Sequence, residues 1–409
     1  MTAEGWRRAR LEETVTPWLS LCQPSADDCR RYVALEHLAQ GEPRLLGWAK
    51  ASKATSTKAE FRAGDVLYGK LRPNLRKAVL ASFDGICSTD ILVLRPKDCL
   101  DARFLLNLVH HPSFQTHAVG TASGTKMPRT SWSLLAPFAF ALPPLAEQRK
   151  IAAILSSVDD AIEASQTVID QLQVVKKAMM AELLTKGLPG RHKNFKQTEI
   201  GQVPDEWEVF PLAACTARVT DGTHQTPIFE KSGVPFLLVK SISSGRVRWS
   251  EGKFVSENTY RELTKSWTPR RGDVLYTAVG ATYGVAVSVD FDSPFTFQRH
   301  IAHIRPDASR LSSTFLTWFL NSPMGRKQAD LAAVGNAQPT VTLGSLSRFS
   351  IPLPSLREQG EISEVLGCVD KRVLAEESVR EHHLQIKSAL MSVLLTGEVR
   401  VRVDGGTAA

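Results

Sequence analysis

The chain of 409 residues carries a formal net charge of +8 and has an ordinary globular composition, with 43% hydrophobic and 22% charged residues. This length predicts two or three domains. The first 20 residues contain no apolar core, and the most apolar stretch, 134–146, is short and interrupted by prolines. We therefore expect neither a secretory signal nor a membrane span. Six cysteines without C-x-x-C spacing predict a reduced, cytoplasmic protein without a zinc site.

Segments of the chain recur in the same order at a nearly constant offset. The sequence GDVLY at 64–68 returns at 272–276, an offset of 208. LPPLAEQ at 142–148 returns as LPSLREQ at 353–359, and LLT at 183–185 returns at 394–396, both at an offset of 211. A repeat this long is a tandem duplication of a domain rather than a solenoid. It predicts approximate internal two-fold symmetry and a target with two parts.

In chain order, each copy consists of a mixed block, a proline corner and a long helix. The predicted strands are 64–68, 77–81, 91–94, 273–277, 285–289 and 301–304, and the predicted short helices are 104–109 and 315–320. We predict an α/β fold class with two globular domains, 1–144 and 205–355. The remaining segments are helix 145–187, a polar linker 188–204, helix 356–397 and a tail 398–409.

Both long helices are predicted from apolar residues at spacings of three and four. The first stripe is Ile151, Ile154, Leu155, Val158, Ile162, Ile169, Leu172, Val175, Met179 and Leu183. The second stripe is Ile362, Leu366, Val369, Val373, Leu384, Met391 and Leu394, and it has to tolerate Gly360 and Gly367.

A helix of about 40 residues is roughly 60 Å long. With one narrow apolar stripe it needs a partner. We expect the two long helices to form an antiparallel coiled coil that separates the two blocks in a pseudo-two-fold arrangement. The alternative is that each helix packs on its own block.

No motif for catalysis, cofactor binding or metal binding is present. The segment Gly120–Lys126 has the wrong spacing for a phosphate-binding P-loop, and nucleophile-elbow, zinc-protease and dinucleotide motifs are absent. His382-His383 and Asp159-Asp160 lie on the predicted long helices, where solvated faces are the simpler interpretation. We therefore predict no catalytic residue, no metal and no cofactor.

The positive charge lies in the two mixed blocks. Residues 1–144 hold 19 Lys and Arg against 13 Asp and Glu (+6), and residues 205–355 hold 16 against 13 (+3). The segments 145–187 and 356–409 are slightly negative, at −1 and −2. Basic blocks with polar loops favour a nucleic-acid surface. The candidate DNA-binding residues are Lys50, Lys53, Lys58, Lys70, Arg72, Asn74, Arg76, Lys77, Lys126, Thr223, His224, Gln225, Lys240, Arg246, Arg248, Asn336 and Gln338.

The combined motifs resemble one known family. The corners LPPLAEQRKIA and LPSLREQGEIS, the helix ends LLTKG and LLTGE, and the connector FKQTEIG running into PDEW are similar to those of the specificity subunit of Type I restriction–modification systems. The resemblance covers the chain up to its last dozen residues. Two departures are that no such connector precedes the first copy and that Asp221–Thr226 has no counterpart in the first block.

The resemblance implies a non-catalytic DNA-binding scaffold. Each block would be a target recognition domain for one half of a split, asymmetric DNA sequence, and the helices would space the domains and bind two methyltransferase subunits. S-adenosylmethionine would be bound by that partner, and restriction subunits are further candidate partners. Two alternatives stay open from the residues: a self-sufficient DNA-modifying enzyme, and a two-armed protein adaptor without a DNA role.

Overall fold

The computed structural model describes residues 5–335 and 337–402. The chain divides into two compact units, Met1–Thr167 with Glu377–Ala409 (unit one) and Val168–Glu376 (unit two). Each unit therefore combines one globular block with the start of one long helix and the end of the other. Among the described residues, no helix is both long and apolar enough to cross a membrane.

Unit one is built on two small sheets and a strand pair. The four-stranded sheet is antiparallel, in the order Val15–Trp18, Ile91–Pro96, Val66–Gly69 and Ala78–Leu80. The five-stranded sheet has the order Leu21–Cys22, Lys58–Phe61, Gly85–Ser88, Arg31–Val33 and Ala49–Lys50. Arg7–Arg10 pairs with Ala139–Leu142. The short α-helices are Leu11–Thr14, Ala102–His110, Pro112–Gly120 and Trp132–Leu135, and the 3-10 turns are Leu35–His37, Ala51–Lys53 and Pro73–Leu75.

Unit two repeats this plan with a different second sheet. Its four-stranded antiparallel sheet has the order Thr216–Asp221, Ile301–Pro306, Val274–Thr277 and Ala286–Ser288. The second sheet has the order Lys253–Val255, Val234–Leu237 and Thr296–Phe297. Two strand pairs are Glu208–Pro211 with Ser350–Leu353, and Phe195–Thr198 with Gly201–Pro204. The short helices and 3-10 turns are Leu212–Cys215, Val239–Ile242, Trp249–Glu251, Glu257–Leu263, Ser313–Leu320, Pro323–Ala332 and Leu343–Ser347.

The repeated GDVLY segment has a structural role in both units. Its glycines, Gly64 and Gly272, have φ of +90° and +89°, which favours glycine because it has no Cβ. The aspartate that follows is buried and accepts two hydrogen bonds from an arginine of the neighbouring strand. In unit one the Arg95 Nε and Nη2 atoms lie 2.7 Å from the two carboxylate oxygens of Asp65. Because these acids form paired hydrogen bonds with arginines of the neighbouring strand, the segment holds the two inner strands of the sheet together.

The proline corner joins each block to its long helix through one buried glutamate. The indole Nε1 of Trp6 donates to Glu147 at 2.9 Å, and that of Trp207 donates to Glu358 at 3.1 Å. Arg400 also donates to Glu147. Each glutamate lies in the first turn of its helix, where a negative charge is favourable. The repeated E-Q pair is thus explained by contacts within each unit.

The long helices extend over Leu145–Lys186 and Leu356–Leu394. The second helix is continuous through Gly360 and Gly367, whose Cβ positions would face open space. Most of each predicted stripe is buried or half-buried, but Val175 is 47% exposed. Its place in the first stripe was therefore wrong. The helix turns it out of the apolar seam.

Within each unit the two helix segments run antiparallel. In unit one, Ile151 and Leu155 share a core with Met391 and Leu394. The Lys387 Nζ atom lies 2.6 Å from an oxygen of Asp159. Asp159 follows Leu155 on the first helix, whereas Lys387 precedes Met391 on the second, so the two segments run in opposite directions. The prediction of antiparallel helix pairing is thus confirmed inside unit one.

Unit two contains the repeat-equivalent helix pairing. Leu183 and Leu184 share a core with Ile362 and Leu366. Lys176 pairs with Asp370, the ion pair that corresponds to Lys387 with Asp159 at the offset of 211. Packing of each helix on its own block alone is therefore excluded in both units.

Two parts of the sequence have more structure than we predicted. The linker 188–204 contains the hairpin Phe195–Thr198 and Gly201–Pro204, closed by Gly201 at φ +100°. Two further helices follow the predicted short ones, and each begins at a proline: Pro112–Gly120 and Pro323–Ala332. Proline suits the first helical turn because the N–H it lacks would have no partner there.

Candidate nucleic-acid interface

Two loops that are distant in sequence meet in unit one. The loop 70–76 follows the central strand of the four-stranded sheet, and the turn 123–129 is closed by two hydrogen bonds between Ser123 and Arg129. The Arg72 amide donates to the Pro128 carbonyl at 2.7 Å, and the Thr130 amide donates to the Lys70 carbonyl at 3.0 Å. Leu71 forms a β-bridge with Arg129. We call these two segments together the unit-one loop pair.

Unit two contains the same arrangement at equivalent positions. The turn 334–340 is closed by two hydrogen bonds between Val334 and Thr340. The Gly280 amide donates to the Pro339 carbonyl at 3.0 Å, and Val279 forms a β-bridge with Thr340. We call loop 278–284 and turn 334–340 the unit-two loop pair. The backbone framework is thus repeated although most loop side chains differ.

Five candidate residues lie on the unit-one loop pair. Arg72, Asn74, Arg76 and Lys126 are exposed, and Lys70 is half-buried. Lys126 lies at the tip of turn 123–129, which the Arg72 amide contacts through Pro128. This loop pair therefore combines four basic side chains with one amide, which are groups that contact phosphates and base edges.

Gln338 is exposed on the unit-two loop pair, and Asn336 lies outside the described residues. Thr223 is connected to the same region, because the Arg299 amide donates to its carbonyl at 3.0 Å and the Ala278 amide donates to the His300 carbonyl at 3.0 Å. His224 and Gln225 are exposed beside Thr223. The His224 Nε2 atom lies 3.1 Å from a carboxylate oxygen of Asp221.

The backbone conformation distinguishes the two loop pairs. Arg72 and Arg76 have φ of +52° and are the non-glycine residues with positive φ in the described part of the chain. At the offset of 208 their counterparts are Gly280 and Gly284, with φ of +99° and +90°. A left-handed conformation costs a non-glycine residue about 1–2 kcal/mol. Unit one therefore carries arginine at two positions where the backbone favours glycine.

The side chains of these two arginines have different surroundings. The Arg76 Nη2 atom donates to the His110 carbonyl at the end of helix Ala102–His110, at 3.1 Å. No hydrogen bond or ion pair of the Arg72 side chain is present among the described residues. One nitrogen of the Arg76 guanidinium thus contacts its own unit, whereas the Arg72 side chain is exposed on the loop.

Two candidate lysines direct their ammonium groups to acceptors inside unit one. Lys58 is 4% exposed, and its Nζ donates to the Ser56 Oγ at 2.7 Å. Lys77 is half-buried, and its Nζ donates to the Leu35 carbonyl at 2.6 Å. These hydrogen bonds compensate the cost of burial, and they make both lysines weaker candidates than the exposed residues of the loop pair.

The remaining basic candidates lie on other elements. Lys50 and Lys53 are exposed at the edge of the five-stranded sheet and on the turn that follows it. Lys240 pairs with Glu251 at 2.9 Å. Arg246 lies 3.7 Å from Asp370 of the second long helix, and Arg248 is exposed. Arg246 therefore faces the helix of its own unit.

Sequence reasoning missed three residues that the tertiary structure brings to the loop pairs. Arg129 is exposed on turn 123–129 and forms an ion pair with Asp90 at 3.3 Å. Arg299 is exposed beside Thr223, and His300 follows it. Burial and the neighbouring Arg299 charge lower the pKa of His300, so this ring is neutral near pH 7. The signal for Arg129 was its position three residues after Lys126, whereas the position of Arg299 and His300 beside Thr223 follows from contacts between remote segments.

In the described part of the chain, no group of three or more His, Cys, Asp or Glu side chains is arranged to hold a metal ion. All six cysteines are free, and Cys87 and Cys215 are buried. The exposed side chains described at the loop pairs offer hydrogen bonds and positive charge.

The sequence model of the Type I restriction modification DNA specificity domain matches residues 46–174 and again residues 216–381. The chain belongs to the specificity subunits of type I restriction–modification systems. The two matches fall in the two copies, one after the other, as the tandem repeat predicted.

The chain is similar to several specificity subunits, over most of its length or over part of it. The MjaVIII specificity subunit of Methanocaldococcus jannaschii is 27% identical over 380 residues, covering 91% of this chain and 86% of the relative. The EcoDI specificity subunit of Escherichia coli is 36% identical over 149 residues, covering 36% and 33%. The subunit therefore recognises DNA for a restriction–modification complex and is not its catalytic component.

Solved structures show the same fold. A structure described as the basis of complex assembly and conformational transition of the type I R-M system has a TM-score of 0.57 and 21% identity, covering 98% of this chain and all of that one. The S subunit from M. genitalium has a TM-score of 0.54 and 14% identity, covering 95% and 96%. At these identities the likeness establishes the architecture of the specificity subunit and not its contact residues.

Proposed function

We propose that this specificity subunit recognises an asymmetric DNA sequence in two parts, one half-site for each unit. The observation that supports this proposal is the repeated backbone of the two loop pairs, where Arg72 and Gly280 donate the same hydrogen bond but differ in side chain. Equivalent scaffolds with different side chains suit two half-sites that differ in sequence. The blocks' surpluses of +6 and +3 would attract the duplex.

Each half-site would be recognised by two kinds of contact. Lysine and arginine side chains around the loops would neutralise phosphates, which gives affinity that falls with salt. Arginine and amide side chains would discriminate base edges in the major groove, since these groups form paired hydrogen bonds with guanine and adenine. Arg72 and Asn74 in unit one, and Gln338 in unit two, are exposed side chains of this kind.

We further propose that the subunit recruits two methyltransferase subunits, one for each repeat. Exposed apolar side chains support this. Val168 and Val175 are 36% and 47% exposed, and their repeat equivalents Val379 and Ile386 are 43% and 49% exposed. Residues seven apart lie on the same face of a helix. The partner would hold S-adenosylmethionine and flip the target base, and restriction subunits would join the same complex.

The test is to express the subunit with its methyltransferase and to measure the mass of the complex. We expect two methyltransferase subunits per chain, and Val175→Glu with Ile386→Glu should weaken both associations. Sequencing of DNA methylation in cells with and without the subunit should identify one two-part site. A stable complex with a single methyltransferase and no second equivalent site contradicts the stoichiometry, and methylation without a two-part site contradicts the recognition model.

A further inference from the structure

Arginine at position 72 strains the backbone, and its side chain makes no hydrogen bond or ion pair among the described residues. The backbone role of residue 72 is to donate its amide to Pro128, and Gly280 performs this role in unit two. Glycine adopts positive φ without strain, whereas Arg72 has φ +52° and ψ +65°. Its side chain is exposed, and no partner for it lies among the described residues. A residue with a strained backbone whose side chain makes no hydrogen bond or ion pair within its unit indicates a requirement outside the fold.

The environment of Arg72 indicates what that requirement is. Residues 72 and 76 flank the 3-10 turn Pro73–Leu75, and the exposed Asn74 lies between them. The loop is held from one side by turn 123–129, which carries Lys126. On the other side, the Gly41 amide donates to the Leu75 and Arg76 carbonyls at 3.1 and 3.3 Å, so backbone hydrogen bonds hold the turn at both ends. A planar donor group on a rigid loop suits paired hydrogen bonds to a base edge better than it suits diffuse phosphate contact.

We infer that Arg72 determines the base specificity of one half-site, and that the equivalent loop of unit two, with Gly280, does so without an arginine. This inference rests on the proposed DNA recognition by the two units. Arg72 combines the disfavoured conformation with a side chain that makes no hydrogen bond or ion pair among the described residues, and this combination distinguishes it from the other basic candidates. Arg76 shares the conformation but also holds the His110 carbonyl, so its removal would disturb the end of helix Ala102–His110.

The experiment uses the complex of this chain with its methyltransferase and duplexes based on the site found by methylation sequencing. Three variants are compared with the original protein. Arg72→Gly removes the side chain and installs the residue of the other repeat. Arg72→Lys keeps the charge but removes the planar fork. Arg103→Ala is the control, an exposed arginine near the start of helix Ala102–His110, whose other end contacts Arg76.

Binding is measured at several salt concentrations on the matched duplex and on duplexes with each base pair of both half-sites changed in turn. Arg72→Gly should fold at least as stably as the original protein, because it relieves the backbone strain. Discrimination should fall by about 5- to 150-fold at one or two base pairs of a single half-site, and Arg72→Lys should lose most of it too. Arg103→Ala should leave the base preference unchanged.

Three other outcomes overturn the inference. Affinity that falls evenly across all duplexes, with a salt slope reduced by about one and recovery in Arg72→Lys, would assign Arg72 to a phosphate. Unchanged binding in Arg72→Gly would remove it from the interface. Loss of stability in Arg72→Gly would show that the arginine serves the fold. If the original complex shows no sequence preference on any duplex, the proposed function fails instead, which is a distinguishable result.

Discussion

At the scale of single residues, several of the residues that recur in both copies are buried carboxylates. Asp273 accepts hydrogen bonds from Arg305 at 2.7 and 2.8 Å and from the His303 ring at 2.7 Å. Burial alone would raise the pKa of Asp273, but the bonds from Arg305 and His303 lower it to about 2. Burial lowers the pKa of His303, so a neutral ring donates its Nε2–H. The acid is thus held ionised inside unit two.

Asp273→Asn should destabilise unit two by about 3 kcal/mol, because it leaves the half-buried Arg305 charge without its counter-ion. The pKa of Asp273 is lower in the folded state than its ordinary value of 3.8, so its contribution is present above pH 4 and is lost as the pH falls towards 2. Acid unfolding followed by tryptophan fluorescence measures both effects, since Trp267 stacks on His303.

The matched control for this prediction is Asp292→Asn. Asp292 pairs with Arg271 at 2.8 Å, but its side chain is 76% exposed. An exposed ion pair contributes little to stability because water screens the two charges. Equal losses of stability in the two variants, or an Asp273→Asn protein with unchanged acid sensitivity, would contradict the structural role assigned to the repeated aspartate.

At the scale of elements, the long helices combine an apolar seam with one charged pair in each unit. Burial raises the pKa of Asp159, although the opposing Lys387 charge acts in the other direction. Lys387 is only 7% exposed. Buried pairs of this kind contribute little net stability compared with apolar residues, but they favour one register because mispairing leaves a buried charge alone. The helix segments of unit one are therefore aligned by charge as well as by packing.

Asp159→Lys should lower the free energy of unfolding by about 3 kcal/mol, because it places two ammonium groups together in a partly buried site. The double variant Asp159→Lys with Lys387→Asp should recover at least half of the loss. Denaturant unfolding of the purified chain measures both. Swapping Glu182 and Lys186, an exposed pair on the first helix, is the control and should change stability by less than about 0.5 kcal/mol. If the stability loss of the double variant equals the sum of the losses of the two single variants, the pair does not align the helices.

At the scale of the whole molecule, the two copies share their framework and differ in their loops and second sheets. The second sheet of unit one has five strands and that of unit two has three. The differences lie within residues 1–144 and 205–355, and the repeated contacts at Glu147 and Glu358 hold each block on its own helix. Because the same contacts join each block to its long helix, we expect that a block can be replaced by the matching block of a related subunit.

Replacing residues 205–355 by the matching block of a related specificity subunit should change one half-site and leave the other intact. The reason is that the loop pair of each unit is built from its own block. Methylation sequencing of cells that express the hybrid with its methyltransferase is the measurement. A hybrid in which both half-sites change would mean that the blocks recognise DNA jointly.

The helices should also set the number of unrecognised base pairs between the half-sites. Residues 166–169 and 377–380 are repeat equivalents, and they lie between the ion-pair positions 159 and 176 and between 370 and 387. Deleting both segments removes about 6 Å of helix from each repeat. We expect a shorter spacer with both half-sites unchanged, whereas deletion in one helix alone should destabilise the protein. A changed half-site with an unchanged spacer would contradict this prediction.

The sequence by itself determined the duplication, the two long helices and the family. These features depend on local periodicity and on residues that recur in order, and both are visible without coordinates. The corner glutamates and strand aspartates were detectable for the same reason, since the same buried contacts exist in both copies. The second helix was also predictable, because its apolar stripe continues past both glycines. The structure adds that these glycines have open space around them.

Only the tertiary structure decided which basic residues face outward. Lys58 and Lys77 lie in the same basic stretch as Arg72, yet their ammonium groups find partners inside unit one. The left-handed conformation of Arg72 depends on the Pro128 carbonyl, 56 positions further along the chain. Side-chain direction and backbone strain are set by contacts between segments remote in sequence, and neither periodicity nor composition records such contacts.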